Sequence, residues 1–274
     1  DVRLGPVTLH AYVEANTSPR TGGVSARVPF ANMDAGSALG PGGDGRVQLS
    51  EFRIAWGSGR RVELHAGLMD LTGFLDVSRI SNDENLFFLG QPFVNNPTII
   101  FPDYTLGATA VVGIPEMPSG RLALSIASSH GIADNPRATY EELLDLDAPD
   151  KGANVAARFR WATTRWAGSF GGWTTTGEKS ADFEPRPLPT RGAYTVLGIT
   201  TGVHSLNGRV GVAEGTAGTD TFVGLTYLGE VGTNALGLGV ARTPGLPSLV
   251  DRPSEHVEAF LRRSIREVVY LTSS

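Results

Sequence analysis

The chain has 274 residues, 35 of them Gly and none of them Cys, with 19% charged residues and a formal net charge of −5. The lack of Cys excludes a disulfide framework and a thiolate metal site, and a mildly acidic, well-mixed charge leaves no electrostatic footprint for nucleic acid. Gly well above its average of about 7% fits a sheet protein with tight turns, and no apolar run is long enough for a transmembrane helix.

Asp1 suits a mature N-terminus left by signal-peptide cleavage. Val7 to Ala15 (VTLHAYVEA) then alternates, with Val7, Leu9, Ala11 and Val13 on one face and Thr8, His10, Tyr12 and Glu14 on the other. That is the period of a strand with one polar side. Asn16 to Gly45 is rich in Gly, Pro, Ser and Asn, with SARVPFANM as a short strand inside it. Arg46 to Trp56 alternates again but changes phase midway. Val47 and Leu49 share one parity, Phe52, Ile54 and Trp56 the other, and a bulge near Ser50 reconciles them. After a turn at Gly57-Ser58-Gly59, Arg61 to Met69 sets Val62, Leu64 and Leu68 outward against Arg61, Glu63 and His65.

The stretch from Asp70 to Asp103 breaks this rhythm. It carries the acidic and amide-rich Asn82-Asp83-Glu84-Asn85, then Asn95-Asn96-Pro97 and Phe101-Pro102-Asp103. Prolines at 92, 97 and 102 each remove a backbone donor and restrict the residue before them, which argues against a central strand. Loops beyond about 15 residues are uncommon in compact domains and usually functional. We read this one as a structured loop that folds into the lumen of a membrane β-barrel and narrows it.

Tyr104 to Ile114 resumes the alternation, with Tyr104, Leu106, Val112 and Ile114 opposite Thr105, Gly107, Thr109 and Gly113. Arg121 to Ser129 places Leu122, Leu124 and Ile126 outward. A second excursion, His130 to Gly152, holds Asn135-Pro136 as a helix start, followed by Tyr140, Leu143, Leu144 and Leu146 on one side. Asn154 to Thr163 and Arg165 to Thr175 form a hairpin in which Val155, Ala157, Phe159 and Trp161 oppose Asn154, Ala156, Arg158 and Arg160. Beyond a Pro-rich excursion at Glu178 to Arg191 come strands at Ala193 to Val203, Asn207 to Glu214, Thr219 to Glu230 and Thr233 to Ala241. His256 to Ile265 follows the loop Pro244 to Pro253, and Val268 to Ser274 reads as a last strand.

Connections alternate short with long, and the long ones fall on one end. The expected fold is therefore all-β, one domain over residues 1–274, an antiparallel transmembrane β-barrel of about 12–14 strands with short turns at one rim and long loops at the other. A soluble β-sandwich that binds carbohydrate is the competing architecture. The polar face speaks against it, because Arg, Glu, His and Thr make a poor dry core.

Three segments carry a resemblance. HAGLMD, NDENLFFLGQPFVNNP and FPDYTLGA, within Leu64 to Ala108, together with EHVEAFLRRSIREVVYLTSS near the end, resemble the carbohydrate-selective porins of bacterial outer membranes, the OprB type. The family's members have Lys where this chain has Leu68. They also run on into a strand with a terminal aromatic, whereas this sequence stops at Thr272-Ser273-Ser274; against the family, either the sequence is truncated or its last strands are missing. It further implies an outer-membrane location and passive diffusion of small sugars, with no reaction and no cofactor. The partners it implies are small sugars or other polar solutes, outer-membrane lipid and further copies of the chain.

Enzymes on barrels of this size form the alternative, a lipid hydrolase with Ser, His and Asn on one face. Ser128-Ser129-His130-Gly131 is the nearest approach, and a His at a loop edge is its ordinary reading. His10, His65, His204 and His256 are scattered, without metal-ligand spacing. Gly237-Leu238-Gly239 sits within a strand rather than before a helix, so no dinucleotide site follows.

A pore needs other chemistry: hydroxyls and amides that exchange hydrogen bonds with a solute, and charged rows that set ion preference. The candidate pore-lining residues are Glu51, Arg53, Glu63, Arg158, Arg160, Glu258 and Arg262 on the polar strand faces. Asp76, Arg79, Asp83, Glu84, Asn95 and Asn96 join them from the long loop. Phe87, Phe88 and Phe93 are expected to pack that loop against the wall rather than stack on sugar rings. Trp56, Tyr104, Trp161 and Trp166 lie near strand ends, where an interfacial girdle places its aromatics.

Overall fold

The structure, a computed structural model, describes residues 1–15, 47–57, 61–80, 86–102, 104–132, 140, 143, 152–176, 190–215, 218–243, 253–266 and 269–273. Fourteen strands form one sheet in sequence order, each antiparallel to its neighbours. They are β1 (Val2–Leu4), β2 (Val7–Ala15), β3 (Val47–Gly57), β4 (Val62–Met69), β5 (Thr105–Ile114), β6 (Met117–Ser128) and β7 (Ala153–Ala162). The second half continues with β8 (Trp166–Thr175), β9 (Arg191–Thr201), β10 (His204–Gly215), β11 (Gly218–Val231), β12 (Asn234–Thr243), β13 (Ser254–Arg266) and β14 (Val269–Ser273). Two four-residue helices, α1 (Thr72–Leu75) and α2 (Gln91–Val94), lie in the long loop between β4 and β5.

Thirteen of the fourteen strands coincide with alternating runs in the sequence. β1 is the addition, and at three residues it is too short to display a period. At one rim the connections are tight, as at 5–6, 115–116, 202–203 and 232–233, and the opposite rim carries the long connections after β2, β4, β6, β8 and β12. The connection after β10, residues 216–217, is the exception on that rim.

The phase change in β3 is a bulge. Tyr12 pairs with Glu51 and Val13 with Leu49, which leaves Ser50 as the extra residue. The slip returns Phe52, Ile54 and Trp56 to the same exposed side as Val47 and Leu49. Outward side chains form a broad apolar band that includes Leu124, Val155, Phe170, Leu197, Val223, Leu238 and Val257, all exposed.

Two details depart from simple alternation. Leu68 has the outward phase, since it pairs with exposed Phe52 and with Leu106, yet it is buried under Ile132 and Leu143. Ile132 and Leu143, from between β6 and β7, therefore cover that part of the outer face, and Tyr140 Oη donates to the Leu49 carbonyl at 2.9 Å. Inward Ser125 is packed rather than open to water, with its hydroxyl 2.8 Å from that of Thr109. SARVPFANM, most of the Asn135-Pro136 helix, the Ser58-Gly59 turn and the Pro-rich excursion through residue 189 lie outside the described residues.

The sheet curls around the long loop. Phe74 lies against Arg53 of β3 and His65 of β4, Tyr194 of β9 donates to the Leu75 carbonyl, and Arg262 of β13 donates to the Leu86 carbonyl. One short stretch thus touches strands from both halves of a fourteen-stranded sheet, and only a curled sheet permits that.

Candidate functional site

The loop between β4 and β5 leaves the wall at Asp70. The Asp70 carboxylate accepts hydrogen bonds from the Thr72 amide at 2.8 Å and the Thr72 hydroxyl at 2.5 Å, which sets the first turn of α1. Burial pushes the Asp70 carboxyl up to about 6. The Thr72 hydrogen bonds act in the opposite sense, and the negative charges of Glu51 and Glu14 add to the rise.

After α1 the loop is held by polar groups that are themselves buried. Asp76 accepts from the Asn96 amide at 2.5 Å and from the Arg209 guanidinium. Arg209 also donates to the carbonyls of Phe93 at 3.0 Å and Pro92 at 3.4 Å. Asn96 closes its own turn by accepting from the Thr98 amide at 3.0 Å, and it donates to the Val210 carbonyl of β10 at 3.4 Å. Trp173 Nε1 donates to the Thr98 carbonyl and Asn154 Nδ2 to the Ile100 carbonyl, each at 3.1 Å. Glu258 of β13 accepts from the Leu89 amide at 2.9 Å and the Gly90 amide at 2.8 Å. Backbone groups of Leu89, Gly90, Pro92, Phe93, Thr98 and Ile100 thus find partners on the wall, as buried backbone requires.

Apolar contacts fill the remainder. Leu71, Leu75 and Ile99 of the loop join Trp173, Tyr194 and Val196 of β8 and β9, while Ile80, Phe88 and Phe93 join Phe222, Leu228 and Phe260 of β11 and β13. Phe88 meets Phe260 edge-on, with ring centroids 5.0 Å apart. Two glycines make room. A side chain at Gly211 would collide with Thr98 and Asn96, and one at Gly239 would press on Phe93 and Phe88. The expectation that Phe87, Phe88 and Phe93 pack the loop against the wall agrees with these contacts.

The candidate pore residues differ in their surroundings. Asp76, Asn96, Arg158 and Arg262 are buried at the contact between loop and wall rather than facing open lumen, because the loop lies directly on the faces they occupy. Glu51, Arg53 and Glu63 line the inner side of β3 and β4 in a row: Arg53 donates to Glu51 at 3.3 Å and to His65 Nδ1 at 2.8 Å, and His65 Nε2 lies 3.4 Å from Glu63. Arg79 and Arg160 are exposed toward the tight-turn rim, Arg79 paired with Glu230 at 2.8 Å. Glu258 holds the loop through backbone amides, and Asn95 sits at the end of α2 with its amide on the Gln91 carbonyl at 2.9 Å. Asp83 and Glu84 lie outside the described residues.

Sequence reasoning missed Arg209, Trp173, Tyr194, Phe222 and Glu230. Arg209 had a signal, since it is a lone charge in the inward phase of β10, two residues before Gly211. Parity sets Trp173, Tyr194 and Phe222 on the inward side, and no local signal says that the loop meets them there.

At the tight-turn rim a cavity of about 410 Å³ opens between loop residues 77–80 and the inner wall of β7 to β10. Ser129 and His130 do not form an open catalytic pair. The Ser129 hydroxyl is buried, 3.1 Å from His130 Nδ1, and it accepts the Gly152 amide at 2.9 Å, which fastens the two ends of the excursion between β6 and β7. Among the described residues no cluster of three His, Asp or Glu side chains is arranged to hold a metal ion.

No family model matches the chain. A stretch of 48 residues, 18% of the chain, is 40% identical to an uncharacterized protein of Aquifex aeolicus (strain VF5) and covers 16% of that protein's length. In three dimensions the chain is similar to a porin whose structure was refined at 1.8 Å resolution. The TM-score is 0.52, the match covers 95% of this chain and 83% of the porin, and the sequences are 6% identical. At that identity the likeness concerns the fold, an antiparallel β-barrel of the porin type.

Proposed function

We propose that this chain is an outer-membrane pore through which small polar solutes, small carbohydrates among them, diffuse passively, with the loop at 70–103 as its constriction. The observation that carries this reading is the placement of that loop. It lies on the polar phase of the wall and is fastened by Arg209, Glu258, Trp173 and Asn154, while the opposite phase is an exposed apolar band. Large exposed apolar surface marks a membrane or partner contact, and an inner face dressed with Arg, Glu, His, Ser and Thr suits water and polar solutes. In this reading lipid covers the band, and further copies of the chain are its partners in an assembly. Preference for sugars rests on the resemblance of 64–108 and 255–274 to the carbohydrate-selective porins. No reaction is assigned to the chain.

The test is reconstitution of the refolded chain in planar bilayers and liposomes. Discrete conductance steps and liposome swelling with monosaccharides are expected. Replacing Ser81 to Pro92 by a short Gly/Ser link should raise the single-channel conductance and admit larger oligosaccharides. A wild-type chain that folds in detergent and neither conducts nor swells liposomes overturns the pore; unchanged conductance in the loop variant places the loop outside the solute path.

A further inference from the structure

The cavity at the tight-turn rim differs in charge from the chain around it. The whole chain is acidic, yet this lining includes Arg79, Arg160 and Arg165 and, among the described residues, no carboxylate. Arg79 is already compensated, donating to Glu230 at 2.8 Å and to the Thr200 hydroxyl at 3.3 Å. Neither Arg160 nor Arg165 is paired with an acid of the described residues, and Arg160 is the one on the inner wall. It projects from the inward phase of β7 beside Ser169, its partner across β8.

Two further lining groups need hydrogen-bond partners. The Ser169 hydroxyl and the Asn207 side-chain carbonyl are both buried, at 3% and 5% exposure, and neither has a partner among the described residues. Buried polar groups are satisfied in nearly all native structures. The three groups call for complementary chemistry. A guanidinium offers only donors and suits a carboxylate or another anion, an amide carbonyl only accepts and so needs an O–H or N–H, and a hydroxyl takes either role. Val77 and Ile80 of the loop, and Val196 beside Ser169 on the wall, supply apolar lining, the usual mixture in small-molecule sites, whose volumes run from about 300 to 1,000 Å³.

Building on the pore reading, we propose that this cavity is a binding site for a small hydroxylated carboxylate, a sugar acid rather than a neutral sugar. The carboxylate lies on Arg160, and its hydroxyls donate to the Asn207 carbonyl and exchange hydrogen bonds with Ser169. The site sits at one mouth of the lumen, so such an anion is concentrated where it enters or leaves the constriction.

The test is calorimetric titration of the refolded full chain in detergent with gluconate, glucose and acetate at one ionic strength. Gluconate is expected to bind at least about tenfold more tightly than either glucose, which lacks the charge, or acetate, which lacks the hydroxyls. Arg160→Gln should abolish the preference over glucose. Ser169→Ala should reduce the preference over acetate, and Asn207→Leu should do so more strongly. Heat-modifiable migration of each variant on a gel checks that the barrel is intact, and Ser169→Ala, the smallest change, keeps the hydroxyl arm testable should Asn207→Leu fail to fold. Equal binding of gluconate and glucose, or no gluconate binding by a folded wild-type chain, overturns the proposal. Bilayer conductance is read on the same preparation. A chain that conducts without preferring gluconate loses this site and keeps the pore, whereas one that prefers gluconate without conducting keeps the site and loses the pore.

Discussion

The carboxylate of Asp76 and a guanidinium nitrogen of Arg209 form an ion pair 133 residues apart in sequence, with both side chains almost completely buried. One comes from the loop that leaves β4 and the other from the inner face of β10. Arg209 also donates to the loop carbonyls of Phe93 and Pro92, so this one side chain ties the outgoing and returning halves of the loop to the same strand.

Removing one partner of a buried pair strands the other charge, at a cost of about 3–5 kcal/mol. Asp76→Leu and Arg209→Met are each expected to lower the unfolding midpoint and to make single-channel current noisier as the loop loosens. The double variant should recover part of the loss. Denaturant unfolding in detergent checks the stability terms and bilayer recording the noise; additive losses in the double variant would show that the two residues act independently.

Gly211 admits the loop because it lacks a side chain. A Cβ there would overlap Thr98 and Asn96, and neither can retreat while Asn96 and Thr98 are bonded to one another and to the wall. Gly211→Val is therefore expected to lift the loop from β10 and increase conductance in a barrel that still migrates as folded. Gly208→Val, three residues earlier and in open surroundings, is its control. Equal effects at both positions would mean that steric contact with the loop is not what Gly211 provides.

The apolar phase faces outward, and Val257 is among its most exposed members at 81%. An Arg on the lipid face costs about 2–4 kcal/mol near the bilayer midplane and little near the interfaces. Leu124→Arg and Val257→Arg should both reduce folding efficiency into lipid vesicles. They should have much smaller effects in a short-chain detergent, where water reaches the rim more easily. Undiminished folding of both variants into vesicles would contradict a lipid-facing assignment for this surface.

Asp70 predicts a pH dependence. Its carboxyl is raised from 3.8 to about 6 in the folded chain, chiefly by burial, so the folded state binds the proton more tightly than the unfolded one does. The resulting stability is fully present below the unfolded value and is lost as pH rises through the folded value. The affected window therefore runs from about pH 4 to pH 6. Asp70→Asn, which stays neutral and keeps an acceptor for Thr72, should flatten that part of the stability profile. A variant whose profile still falls across the same window would assign the dependence to another group.

Much of the architecture was legible in the sequence because strand alternation is local. A side chain's face follows from its parity, and even the bulge at Ser50 declared itself as a phase change between Leu49 and Phe52. The long loop was equally legible, since Pro92, Pro97 and Pro102 forbid a ladder wherever the segment lies. Parity says only which side of the sheet a residue takes. It does not say what meets it there, and the same inward phase holds Arg160, exposed at the rim, and Arg158, sealed beneath the loop. That difference arose when the sheet curled, bringing β3 and β13 to the same loop and setting Asp76 on Arg209, Gly90 on Glu258 and Thr98 on Trp173. Those meetings depend on curvature and strand register summed over the sheet, quantities that no short window of residues contains.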